Sequence, residues 1–187
     1  MSIDLSKDLD GKKYSVIYAD PPWTFKTWSK KGEGRSATQH YGCMNMDDIK
    51  NMNVSDVANK DCVLFLWVTD PLLDKQIEVM KSWGFTYKTV GFYWAKLNKN
   101  GGDFFFGNGY YTRGNPEQCW IGTRGKPGLP KTRSIRRLVV EPRREHSRKP
   151  DSIPNYIEEM YDGPYLELFS RTTRPGWDTW GNEVGKF

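Results

Sequence analysis

The chain has 187 residues, a net charge of +5 and 37% hydrophobic residues, with a mean hydropathy of −0.74. That size fits one domain, residues 1–187, burying about 70% of its unfolded surface in one core, and 14% aromatic residues exclude a disordered composition. The longest apolar run, Cys62–Val68, is far too short to cross a bilayer, residues 1–13 lack a signal-peptide core, and three cysteines without a CxxC pair argue against a disulfide framework or metal site; the expected setting is cytoplasmic.

The first strand signal, Tyr14–Ala19, ends on Asp20-Pro21-Pro22-Trp23. The prolines cannot continue a sheet and carry no N–H, which leaves carbonyls free to accept hydrogen bonds. An acidic side chain, a proline carbonyl and an indole at a strand's carboxyl end suit a planar base with an exocyclic amine: Asp20 and the carbonyl take its two N–H donors while Trp23 packs on the ring. That arrangement suits methyl transfer to adenine. A Pro-Pro turn after a buried strand, with Asp20 only capping, is the bland alternative.

Helical spacing follows over 46–58, then a strand over 62–68. A second helical pattern spans 71–83, with Pro71 in its first turn and Ile77, Met80 and Lys81 at helical spacing. Strands are expected over 85–95, 118–123 and 137–141. A third helix over 151–161 has Asp151 or Ser152 as cap, Pro154 in the first turn and Ile153, Tyr156, Ile157 and Met160 on one face. A strand over 164–169 closes the series. Such alternation builds a mostly parallel sheet with helices on both faces. Segments 24–41, 97–116 and 124–136, rich in Gly, Lys and Arg, fit neither period. Ligands of open α/β sheets lie beyond the strands' carboxyl ends, so these loops, leaving after Ala19, Trp94 and Thr123, are expected to face nucleic acid.

The positive charge is concentrated between Arg124 and Lys149, where Arg133, Arg136, Arg137, Arg148 and Lys149 stand among the cations and Glu141 and Glu145 are the only acids. A stripe of this kind attracts phosphates and makes binding salt-dependent. The plainer reading is a solvated loop that aids solubility.

Eight motifs in order carry a resemblance to a known family: Tyr18-Ala19-Asp20-Pro21-Pro22-Trp23, Tyr41-Gly42-Cys43-Met44, Leu64-Phe65-Leu66-Trp67-Val68-Thr69, Trp94-Ala95-Lys96, Glu117-Gln118-Cys119-Trp120-Ile121-Gly122, His146-Ser147-Arg148-Lys149-Pro150-Asp151, Leu166-Glu167-Leu168-Phe169-Ser170-Arg171 and Trp177-Asp178-Thr179-Trp180-Gly181-Asn182. Over residues 14–183 the chain resembles the adenine N(6)-methyltransferases, a family including the eukaryotic mRNA adenosine methyltransferase catalytic subunit and bacterial and phage DNA adenine methylases.

The resemblance implies a Rossmann-like methyltransferase fold and S-adenosylmethionine as methyl donor. It implies Asp20, Pro21, Pro22 and Trp23 as catalytic residues, with Asp rather than Ser at the motif's first position favouring adenine over cytosine. Tyr41 and Trp23 become candidates to sandwich the base, and Arg133, Arg136, Arg137, Arg148 and Lys149 to meet the nucleic acid, Arg148 and Lys149 having the cofactor as an alternative. Asp20, Lys96, Glu167, Phe169, Arg171, Thr173, Asn182 and Glu183 become cofactor contacts, Lys96 through the methionine carboxylate. Two departures bear on these: Glu183 stands where the family often has Gln, and Thr172-Thr173-Arg174 replaces the eukaryotic Pro-His-Asn. Only 19 residues precede Asp20, and no target-recognition domain is visible, so target preference is expected from the basic loops, a second copy in a homodimer, or a partner chain. The reading favoured is a DNA adenine methyltransferase. Its alternatives are an RNA adenosine methyltransferase and a non-catalytic nucleic-acid-binding subunit of the same fold.

Overall fold

The computed structural model describes residues 3–24, 44–109 and 111–187. Within them seven strands form one sheet: β1 (Tyr14–Ala19), β2 (Ala58–Val68), β3 (Thr86–Leu97), β4 (Glu117–Arg124), β5 (Leu138–Pro142), β6 (Tyr165–Leu168) and β7 (Trp177–Trp180), in the order β5-β3-β4-β2-β1-β6-β7. β1 pairs in parallel with β2 and β6, β6 with β7, and β3 with β5, whereas β4 runs antiparallel to both neighbours, β2 and β3. This is the mostly parallel, Rossmann-like sheet expected.

Alternation along the central strands explains why both faces are covered. Ile17 and Ala19 of β1 and Cys62, Leu64, Leu66 and Val68 of β2 point to one side, joining Ile49, Val79, Met80 and Trp83. Val16 and Tyr18 of β1 and Val63, Phe65 and Trp67 of β2 point to the other, joining Ile153, Ile157 and Trp177. Strands buried on both faces read as continuous apolar runs, as these two do.

Four α-helices are described: α1 (Leu5–Asp8), α2 (Met46–Lys50), α3 (Leu73–Ser82) and α4 (Ser152–Met160). The helix expected over 46–58 is corrected. It starts at Asn45, whose side chain accepts from the Asp48 amide at 2.8 Å, but ends at Lys50. A 3-10 turn over Val54–Asp56 follows, and Ala58 already belongs to β2. Asn51 and Asn53 are poor helix formers, and the buried Val54 and Val57 are satisfied as the approach to a strand. α3 and α4 fall where the spacing placed them. Asp151 holds the cap position of α4, yet no side-chain cap bond forms, because its carboxylate pairs with Arg144 at 2.6 Å and Arg148 at 3.3 Å.

The direction of β4 corrects the expectation that all three basic loops leave from one edge. An antiparallel strand ends at the opposite side of the sheet, so the segment after Thr123 starts beneath the amino end of β2, where the Lys126 amide donates to Asp61 at 2.6 Å. It continues past the carboxyl end of α4, where the Lys131 amide donates to the Met160 carbonyl at 2.8 Å. The same reversal has a useful effect: β4 begins at the carboxyl edge of its parallel neighbours and delivers Glu117 there.

Candidate active site

Asp20 follows β1 directly, and the strand's pairing with both β2 and β6 fixes its position at the sheet's carboxyl edge. Lys149 arrives from the loop between β5 and α4, Glu117 from the start of β4 and Lys96 from the end of β3. Their charges alternate in a chain. Lys149 Nζ lies 2.7 Å from Asp20 Oδ2 and 3.3 Å from Glu117 Oε2, and Lys96 Nζ lies 2.5 Å from Glu117 Oε1. Two carboxylates and two ammoniums sum to no net charge, which lets all four sit in a largely desolvated place. Lys149 also packs over the Trp67 ring at 5.4 Å, and Lys96 over Trp94 at 5.3 Å.

The carboxylates differ in their electrostatics. Burial pushes Asp20 above its ordinary value, while the charge and hydrogen bond of Lys149 pull it back. Burial also raises Glu117, but Lys149 and Lys96 together outweigh it and hold Glu117 at about 2. Glu167 on β6 goes the other way: burial lifts it to about 7, against a hydrogen bond from Ser170 and with help from the charge of Asp20.

The motif after Asp20 is tightly held. The Pro21 carbonyl accepts from the Trp23 amide at 2.8 Å and the Pro22 carbonyl from the Met44 amide at 3.2 Å, so each retains only its second lone pair for a ligand. Trp23 is 6% exposed and belongs to the core. Its indole N–H donates to the Trp67 carbonyl at 3.0 Å, and Trp67 in turn donates to the Tyr18 hydroxyl at 2.7 Å. Trp23, expected to pack on a base, is held in the core here, where its side chain anchors the turn that presents Asp20. Tyr41 lies outside the described residues.

Beside Asp20 opens a cavity of about 390 Å³, lined by Tyr18, Asp20, Arg148, Lys149, Glu167, Phe169, Arg171, Thr173 and their neighbours. Asp20, Glu167, Phe169, Arg171 and Thr173 are thus brought together as expected of one site. Arg148 and Lys149, expected chiefly at nucleic acid, line the same wall. Lys96 reaches the site only through Glu117. Asn182 and Glu183 do not line the cavity; they follow Gly181, whose missing side chain lets it pass Ser170, since a Cβ there would stand 2.8 Å from the Ser170 carbonyl oxygen. Arg133, Arg136 and Arg137 line neither this cavity nor the second one described below. All three are exposed and precede the amino end of β5.

A profile of the MT-A70 family matches residues 14–183. The chain belongs to the MT-A70 family. Among its relatives is the Type II methyltransferase M.MunI of a Mycoplasma species, 34% identical over 193 residues, an alignment covering 94% of this chain and 80% of that protein. The mouse N(6)-adenine-specific methyltransferase METTL4 is 31% identical over 95% of this chain and 39% of its own length. The human N(6)-adenosine-methyltransferase catalytic subunit METTL3 is 30% identical over 92% of this chain and 28% of its own length. This MT-A70 member therefore spans less than half of the two mammalian proteins.

The donor set of the cavity fits the cofactor that the family resemblance implies. Its volume falls in the range of about 300–1,000 Å³ usual for small-molecule sites. Its lining holds the carboxylates of Asp20 and Glu167, suited to a sulfonium or ammonium, and the cations of Lys149 and Arg171, suited to a carboxylate. The buried Arg148 Nε has no hydrogen-bond partner among the described residues, which leaves a donor for an acceptor brought by a ligand. Arg171 has a second job: it donates to the His146 carbonyl at 3.0 Å and the Ser147 carbonyl at 2.6 Å, tying the loop that carries Lys149 to the loop after β6.

Glu117 is the member of this charge chain that the sequence reading did not name as a site residue. It lay inside a quoted motif, but its role depends on β4 running antiparallel, which hydropathy does not report. Lys149 was named for other contacts; a lysine two residues before Asp151 gives no local sign that it reaches Asp20 across 129 positions.

Proposed function

We propose that this protein transfers a methyl group from S-adenosylmethionine to the exocyclic amine of adenine in DNA. The observation that carries this reading is the Asp20–Lys149–Glu117–Lys96 charge chain, whose Asp20 and Lys149 line a cavity together with Glu167 and Arg171. Membership of the MT-A70 family supports methyl transfer. The relative M.MunI, matched over most of its length, supports a bacterial-type enzyme acting on DNA.

The cofactor, when bound, supplies a methyl group on a positively charged sulfur. The chain's own residues prepare the acceptor. An aromatic amine is a weak nucleophile because its lone pair is delocalised into the ring, so transfer needs the nitrogen oriented and its N–H groups held by acceptors. Lys149 takes Asp20 Oδ2 and fixes the plane of the carboxylate, while Oδ1 receives no hydrogen bond from the described residues and is free to accept from the amine. The second lone pair of the Pro21 carbonyl is the matching acceptor. Oδ1, already bonded to the amine, then accepts the proton released on transfer. Asp20 and Glu167 favour a cation in the cavity, and Lys149, Arg148 and Arg171 favour the carboxylate of an amino-acid group.

Matched DNA and RNA oligonucleotides offered together with radiolabelled methyl donor test the substrate class. Label chiefly in DNA supports the proposal. Label chiefly in RNA replaces it with adenosine methylation of RNA. Tight cofactor binding by calorimetry without label in either rejects catalysis by this chain on its own.

A further inference from the structure

A second cavity, of about 560 Å³, opens between β3, the amino end of β5 and the segment 98–116. Phe104 and Phe106 line it and are 61% and 76% exposed, and Arg113 lies over the Phe106 ring at 5.6 Å. Exposed aromatic side chains of this size on a polar, basic chain mark a contact surface.

The described residues of the segment are tied to β3 and to one another. The Asn115 side chain accepts from the Lys96 amide and donates to the Lys96 carbonyl, both at 2.9 Å, and the Phe105 amide donates to the Lys96 carbonyl at 2.8 Å. Phe105 itself is covered by the Arg143 guanidinium at 4.0 Å. Gly107 passes so close to Gly114 that a Cβ would stand 1.8 Å from the Gly114 carbonyl oxygen, so the close approach that shapes the segment requires glycine. The aromatic surface is thereby latched to Lys96, whose ammonium belongs to the charge chain that ends at Asp20.

We propose that Phe104 and Phe106, with Arg113, form a stacking subsite for the base of an unpaired nucleotide flanking the target adenine. The inference rests on the nucleic-acid methyltransferase reading and adds to it where the neighbouring nucleotide goes. Three features favour a nucleotide as occupant. The apolar faces are aromatic rings, which stack on any base. The nearby charges, Arg113 over Phe106 and Arg143 over Phe105, are cations that complement a phosphate backbone. The segment is tied through the Lys96 backbone to the strand whose end carries the charge chain, and withdrawing a base from a strand leaves its neighbour unstacked.

The test compares the full chain with Phe104→Ala, Phe106→Ala and Phe106→Trp, using mixed-sequence single-stranded DNA and S-adenosylmethionine. The side chains are exposed, so thermal unfolding is expected to be unchanged. Each Ala variant is expected to raise KM for DNA about tenfold with kcat within about twofold, and to weaken the DNA anisotropy signal in parallel. Phe106→Trp is expected to restore both. Unchanged KM and anisotropy in both Ala variants overturn the subsite while leaving the methyltransferase reading intact. A change of oligomeric state in the Ala variants also overturns it, assigning the face to a protein partner. If the wild-type chain methylates no nucleic acid, the methyltransferase reading fails instead; the stacking contact then stands only if Phe106→Ala still weakens DNA binding and Phe106→Trp restores it.

Discussion

Lys149 is the residue on which the site's electrostatics turn, because it separates two carboxylates that would otherwise face each other. Lys149→Met is expected to cost about 3 kcal/mol of stability, the scale for breaking a buried pair by removing one partner. Glu117→Gln removes one of the two stranded charges, so urea denaturation of the double variant is expected to show less loss than the sum of the singles; additive losses would argue against a coupled chain. Glu167 gives a pH signature. Its carboxyl is raised from 4.5 to about 7, so the fold favours its neutral form, and the stability it contributes below about pH 4.5 is lost as pH rises through 7. A cation in the cavity favours the anionic form, so S-adenosylmethionine affinity is expected to rise between pH 6 and 8. Calorimetry in two buffers of different ionisation enthalpy is expected to show proton release near pH 7, with both effects flattened in Glu167→Gln. A pH-independent affinity in the wild-type protein would place the positive charge away from Glu167. Among the site residues, Asp20 was legible in the sequence because its chemistry is local: an acid behind an apolar strand and before two prolines. Glu117 and Lys149 were not legible as its partners, because the contact depends on where two distant elements end.

At the scale of elements, strand direction divides the basic stripe. The segment between β4 and β5 starts at the amino end of β2 and passes the carboxyl end of α4, so Lys126 and Lys131 lie on the amino side of the sheet, whereas Lys149 lies beside Asp20 on the carboxyl side. Lys131 is already paired with Asp162 at 2.6 Å. The double charge reversal Lys126→Glu with Lys131→Glu is therefore expected to leave KM for DNA within about twofold, whereas a basic stripe acting as one surface would lose affinity steeply with two reversed charges. Steady-state methylation at fixed salt distinguishes them. Central strands β1 and β2 were legible as apolar runs, and α3 and α4 from their spacing and prolines. β7 was not: Trp177-Asp178-Thr179-Trp180 is short and half polar. It is held as a strand by stacking of Trp177 on Tyr165 at 4.7 Å and by the Tyr14 hydroxyl donating to Asp178 at 2.7 Å. The end of α2 was misplaced for the converse reason, since Val54 and Val57 continue an apolar pattern while belonging to the approach to β2.

For the molecule as a whole, the fold brings six parallel strands' carboxyl ends and one reversed strand's start to a common edge, with the cofactor-sized cavity at the ends of β1 and β6 and the aromatic segment beside β3, the charge chain running between Asp20 after β1 and Lys96 of β3. The fold class and the family were legible because ordered motifs at strand ends report the connectivity of the sheet. The reversed strand, and with it the side on which each basic loop emerges, required the pairing itself. The most direct measurement is incubation of the full chain with S-adenosylmethionine and mixed-sequence DNA, followed by nucleoside digestion and mass spectrometry, for the wild-type protein and Asp20→Asn. N(6)-methyladenine from the wild-type chain, reduced at least about 10²-fold in Asp20→Asn with cofactor binding retained, is the predicted result. Equal product from both would contradict the assignment of Asp20 as the group that holds the amine.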